Sequence, residues 1–170
     1  MRFNNHKTIK YIPFLYLLIV VSIGVFGYLE FKFKQEHLFY AEIVFWIFLS
    51  IMIFLLVYIY NFGRFFEYDS DGEALCFRNS GALLSETINY REKRAEFPKQ
   101  KLKNFKIKNY IFIKKLNIYV KSNYLGKRQV KKMVFDITFV TPKRISLMNT
   151  SLNKVVSTNS KKLHESRSRK

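Results

Sequence analysis

The chain has 170 residues, with 30 Lys and Arg against 12 Asp and Glu and a formal net charge of +18. Such a surplus favours solubility and contact with anionic surfaces. The single cysteine, Cys76, excludes an intrachain disulfide and a cysteine-rich zinc site.

Residues 1–10 form a basic arm with Arg2, Lys7 and Lys10 and no acid. Tyr11 to Leu29 follows without a Lys, Arg, Asp or Glu, and Ile43 to Phe62 repeats the pattern. Each run is long enough to cross a bilayer core of roughly 30 Å as a helix. A buried hairpin of a soluble protein would carry polar residues on some face. A cleaved signal peptide would need a small-x-small site, and Ser22 to Tyr28 offers none. Residues 11–62 therefore read as a two-helix transmembrane hairpin. Pro13 falls in a first turn, where its missing N–H costs little. Tyr11, Tyr16, Tyr28, Tyr40, Tyr58 and Tyr60 lie toward the run ends, as an interfacial belt would place them. Gly24, Gly27 and Ser50 offer a close approach of the two helices, without a GxxxG.

The short loop balances Lys32 and Lys34 with Glu30 and Glu36. Positions 63–170 hold 25 Lys and Arg against 9 Asp and Glu. With Arg2, Lys7, Lys10 and Arg64 flanking one side, the positive-inside rule puts both termini in the cytoplasm.

Residues 63–157 read mainly as antiparallel strands. Arg64 to Ser70 leads into Asp71-Gly72, a hairpin turn signal, and Glu73 to Asn79 returns. Glu86 to Glu96 is a further strand, ended by Pro98. Leu102 to Tyr110 and Leu116 to Lys121 alternate apolar with polar residues, and Val130 to Val140 puts Met133, Phe135, Ile137 and Phe139 on one face. Thr141-Pro142 then starts a helix, with Ile145, Met148, Leu152, Val155 and Val156 at helical spacing. The basic, Ser-rich stretch 158–170 reads as a disordered tail.

This order of elements, from Phe65-Phe66-Glu67-Tyr68-Asp69-Ser70-Asp71-Gly72 through the Leu116–Lys121 and Met133–Phe139 strands to the Pro142–Val156 helix, resembles the pleckstrin-homology-like (PH-like) domain. With the hairpin ahead of it, the chain is similar to small bacterial membrane proteins that carry such a domain after two transmembrane helices. The resemblance implies a location in the bacterial inner membrane and lends no catalytic residues.

Chemistry-bearing motifs are sparse. Cys76 sits in a predicted strand, and His6, His37 and His164 lie far apart in sequence, so neither Cys/His nucleophile nor metal spacing occurs. Glu67, Asp69, Asp71 and Gly72 match offsets 1, 3, 5 and 6 of a calcium loop, but Arg78 stands where the bidentate Glu belongs. Strand alternation explains the same spacing. No nucleotide-binding, zinc-protease or serine-hydrolase motif occurs, and no cofactor is expected.

The basic residues are the functional lead. Lys99, Lys101, Lys103, Lys106 and Lys108 form one run, and Lys127, Arg128, Lys131 and Lys132 another, with Lys114 and Lys115 between them. Beside an anionic leaflet each such cation contributes on the order of 1 kcal/mol of attraction. The sequence thus predicts a non-enzymatic membrane protein whose basic domain binds anionic lipid or a protein partner. A subunit accessory to a lipid enzyme or transporter is the alternative, and both spans lack the ionisable residue it would favour. Nucleic acid is disfavoured because no RNP-type aromatic motif accompanies the lysines. A solvated lysine-rich surface is the remaining reading.

Overall fold

In the computed structural model, the structure describes residues 1–33, 39–82, 92–124 and 127–168, with side chains outside 33–41, 123–128 and 163–168. The two apolar runs are helices α2 (Ile12–Phe33) and α3 (Phe39–Phe62). Both are long and apolar enough to cross a membrane. They pack side by side through Phe26 and Phe48, whose rings stack at 4.0 Å. The space beside Gly24 and Gly27 is open, so these glycines do not mediate the approach the sequence suggested. Ser50 turns its hydroxyl back to the Trp46 carbonyl at 2.8 Å, in place of a contact across the pair. Outward residues such as Leu17 and Phe54 are 60% and 69% exposed, leaving an apolar girdle around the hairpin.

The remaining residues build two antiparallel sheets and one helix. The first sheet runs β1 (Arg2–Asn4), β2 (Arg64–Asp69), β3 (Ala74–Gly81) and β4 (Lys93–Pro98), in that order. The second runs β5 (Leu102–Asn109), β6 (Lys114–Tyr124) and β7 (Lys127–Asp136). The β2–β3 turn closes where Asp71 N–H donates to the Asp69 carboxylate at 2.9 Å, the local bond that suits Asp to turns. The predicted strand over 86–96 is described only from Glu92 onward, where β4 begins at Lys93. The last strand stops at Asp136, four residues before Val140, as Thr138 N–H turns back to the Asp136 carboxylate at 2.9 Å.

Helix α4 (Pro142–Ser168) covers the sheets. Its Met148 and Leu152 are fully buried among Phe66, Tyr68, Phe77, Leu116, Ile118 and Phe135. Tyr68, whose phenol lies 3.0 Å from the Ser151 hydroxyl, has its pKa pushed up by burial. The stretch from Thr158 is not a disordered tail, as its composition suggested; α4 continues through it to Ser168. Asn159 explains the first part of this extension, since its Nδ2 donates to the carbonyls of Lys99 at 2.8 Å and Leu102 at 2.9 Å.

The basic arm is also structured. Its residues 2–4 pair with Asp69, Tyr68 and Glu67 of β2, and a short helix, α1 (His6–Ile9), follows. The strand ahead of the helix hairpin and the domain behind it therefore lie on the same side of the hairpin. Asn5, 1% exposed, fixes the corner: Nδ2 donates to the Arg64 carbonyl at 3.0 Å and Oδ1 accepts from Phe66 N–H at 2.8 Å. Gly63 makes the return from α3. A Cβ there would lie 2.5 Å from the Ile59 carbonyl oxygen and 2.9 Å from Ile12 Cδ1, so only glycine fits. Ile9, Ile12, Ile19 and Ile59 form a second buried cluster at this junction, joined by Ala82 and Phe139 from the domain. The domain is thus seated on the hairpin by packing rather than hung from a linker.

Candidate functional site

The two lysine runs do not form two patches. Strand pairing redistributes them. Lys106 pairs with Asn117, and Lys108 with Lys115, while Tyr119 pairs with both Asn104 and Lys132. Residues paired this way share a face, so Lys106, Lys108, Lys115 and Lys132 lie on one side of the second sheet. Lys131 pairs with Val120, itself paired with Leu102, and so belongs to the opposite side. A register irregularity between Leu102 and Asn104 leaves Lys103 out of the ladder.

Lys101, Lys103 and Lys131 meet in a cleft of about 980 Å³ between β4 and the far ends of β6 and β7. Arg94, Glu96 and Lys121 border it from the outer faces of their strands, since Arg94 and Glu96 alternate with the buried Ala95 and Phe97, and Lys121 with Val120. Arg94 already pairs with Glu96 at 3.1 Å. The cleft floor is apolar, with Phe97, Val120 and Met133. Among the described strands, β4 and β7 are edges of their sheets, and an edge strand offers backbone groups for pairing along the cleft. Cations over an apolar floor between two open strand edges suit an extended chain that carries negative charge.

Lys99 lies apart, in the 3-10 turn Lys99–Lys101, with its backbone N–H on the Glu73 carbonyl at 2.9 Å. Lys127 and Arg128 belong to β7 by backbone, and their side chains lie outside the described residues. The sequence reading missed that Arg94 and Lys121 border this cleft, because alternation along one strand does not reveal which strands meet. Lys106 and Lys108 lie toward the hairpin-proximal end of β5. The cleft lies toward the other end of β6, with Lys121 seven residues beyond Lys114, on the order of 23 Å of extended chain away.

The calcium-like acids are engaged otherwise. Arg2 donates to Glu67 at 2.8 Å and lies 3.9 Å from Asp69, while Asp71 pairs with the Met1 amino group. The Arg2 pKa is raised chiefly by its Glu67 hydrogen bond. Burial, followed by the nearby Glu96 and Asp69 carboxylates, pushes the Cys76 thiol up, away from the thiolate a nucleophile requires. His6 sets its ring edge against Phe65 at 6.5 Å. His37 and the His164 side chain lie outside the described residues. Comparison with protein-family models, with curated proteins and with solved structures returns no match.

Proposed function

We propose that this is a non-enzymatic membrane protein whose helix hairpin spans the bacterial cytoplasmic membrane and seats a PH-like domain on the cytoplasmic side. The partition into four and three strands, closed by a C-terminal helix, supports the PH-like reading. The flanking Arg2, Lys7, Lys10 and Arg64 support the orientation. The domain's task is to capture an acidic, extended segment of a protein partner. The observation that carries this is the cleft where Lys101, Lys103 and Lys131 meet between two edge strands, with Arg94 and Lys121 on its borders. Its distance from the hairpin favours a soluble acidic segment over the headgroups of the protein's own leaflet.

The test uses the full chain in phosphatidylcholine nanodiscs and a fluorescent oligoglutamate. Substituting Lys101, Lys103 and Lys131 together with Gln should weaken binding at least tenfold, with a shallower salt dependence. The same number of charges removed as Lys106→Gln, Lys108→Gln and Lys132→Gln should have a much smaller effect. Equal losses from the two triple variants would reduce the cleft to part of a generally basic surface.

A further inference from the structure

One hairpin tip breaks the usual chemistry of turns. Between β5 and β6, Tyr110 N–H donates to the Ile113 carbonyl at 2.8 Å, leaving Ile111 and Phe112 at the tip. Tight hairpin turns favour Gly, Asn and Asp, which tolerate the backbone and meet water well. Here Tyr110, Ile111 and Phe112 are 53%, 92% and 73% exposed. These three adjacent side chains are left largely uncovered by the described residues.

The tip also has a fixed position. The Tyr58 hydroxyl donates to the Phe112 carbonyl at 2.6 Å. Tyr58 lies four residues before Phe62, the end of α3, which is about 6 Å inside the helix at its rise per residue. The tip is therefore level with the last turn of an apolar helix rather than beyond it. Immediately behind the tip, Asn109 pairs with Lys114 and Lys108 with Lys115. Aromatic and aliphatic residues at the front with cations one step back match the polarity gradient from acyl chain to headgroup.

We propose that the Tyr110–Ile111–Phe112 tip is a membrane wedge, inserted into the interfacial layer of the leaflet beside α3, with Lys108, Lys114 and Lys115 at its anionic headgroups. This rests on the membrane reading of the hairpin. It adds a third attachment beside the two helices, which holds the second sheet against the leaflet and turns the basic cleft away from it.

The chain's single tryptophan makes the test direct. Wild-type protein, Ile111→Trp in a Trp46→Phe background and Val130→Trp in the same background are reconstituted into liposomes containing phosphatidylglycerol. Lipids brominated near the head of the acyl chain serve as the quencher. Trp46, 58% exposed on α3, should be quenched. The tryptophan introduced at position 111 should be quenched and blue-shifted, and that at 130 should show neither change. Quenching of Trp46 without quenching at 111, or equal quenching at 111 and 130, would overturn the wedge. An unquenched Trp46 would instead overturn the membrane reading beneath it.

Discussion

Asn79 holds Asp136 by both of its main-chain groups: Nδ2 donates to the Asp136 carbonyl at 3.0 Å, and Asp136 N–H donates to Oδ1 at 2.9 Å. The same Nδ2 reaches the Phe65 carbonyl at 3.0 Å, so one side chain ties β3 to its neighbour β2 and to β7 of the other sheet. Asn79 is 1% exposed, and water cannot replace these bonds without opening the domain. Asn79→Ala should cost about 3 kcal/mol, because it strands buried backbone groups. Chemical denaturation of the full chain in detergent, followed by the β-sheet circular dichroism signal, measures it. An unchanged midpoint would show that the clamp contributes nothing.

The seating of the domain on the hairpin has its own critical position. Gly63→Ala forces a methyl group onto a backbone carbonyl that already accepts the Gly63 N–H at 2.7 Å. Neither α3 nor β2 can shift without disturbing the Ala82 N–H bond to the Gly63 carbonyl at 3.0 Å. The expected loss is about 1–3 kcal/mol, the usual cost of overpacking. The junction should also become sensitive to protease. Equal rates of limited proteolysis for variant and wild type would contradict this.

Stability should fall on the alkaline side. Burial raises the Tyr68 pKa in the folded chain. The folded state therefore keeps that proton where the unfolded state has lost it, and stability declines as pH rises past the ordinary phenol value of about 10. The raised Cys76 thiol acts in the same direction from its own, lower ordinary value. Tyr68→Phe should flatten the phenol part of this decline while removing the Ser151 contact. Denaturation midpoints taken across the alkaline range for both proteins decide it, and parallel curves would refute the assignment to Tyr68.

Asn159 tests whether the far part of α4 belongs to the folded domain. Its side chain satisfies two carbonyls of the Lys99–Leu102 turn. Asn159→Ala should cost about 1–2 kcal/mol and loosen the turn that carries Lys101 into the cleft. Hydrogen exchange at residues 99–103 should accelerate in the variant, whereas unchanged exchange would mean that the turn stands without α4.

Much of the architecture could be read along the chain. The two membrane-length helices follow from uninterrupted apolar runs and most strands from local alternation, and Thr141-Pro142 marks the start of α4, where Ile145 N–H donates to the Thr141 carbonyl at 3.0 Å. The rest depends on contacts between distant segments. Arg2-Phe3-Asn4 is too short to show a period, and it becomes a strand only by pairing with residues 67–69, across the whole hairpin. The polar stretch after Ser157 lacks an apolar face, yet Asn159 finds partners far away in sequence. The lysines show the same limit. Their spacing identified exposed positions, but the irregularity at Lys103 and the meeting of β4 with β7 decided which of them share a cleft.

The central claim is that the hairpin crosses the membrane and leaves the arm, the β domain and α4 together in the cytoplasm. The most direct measurement fuses a reporter active only in the periplasm after Lys170, with a second fusion in the loop between the two helices. The account predicts a silent reporter after Lys170 and an active one in the loop. Activity after Lys170 would contradict it.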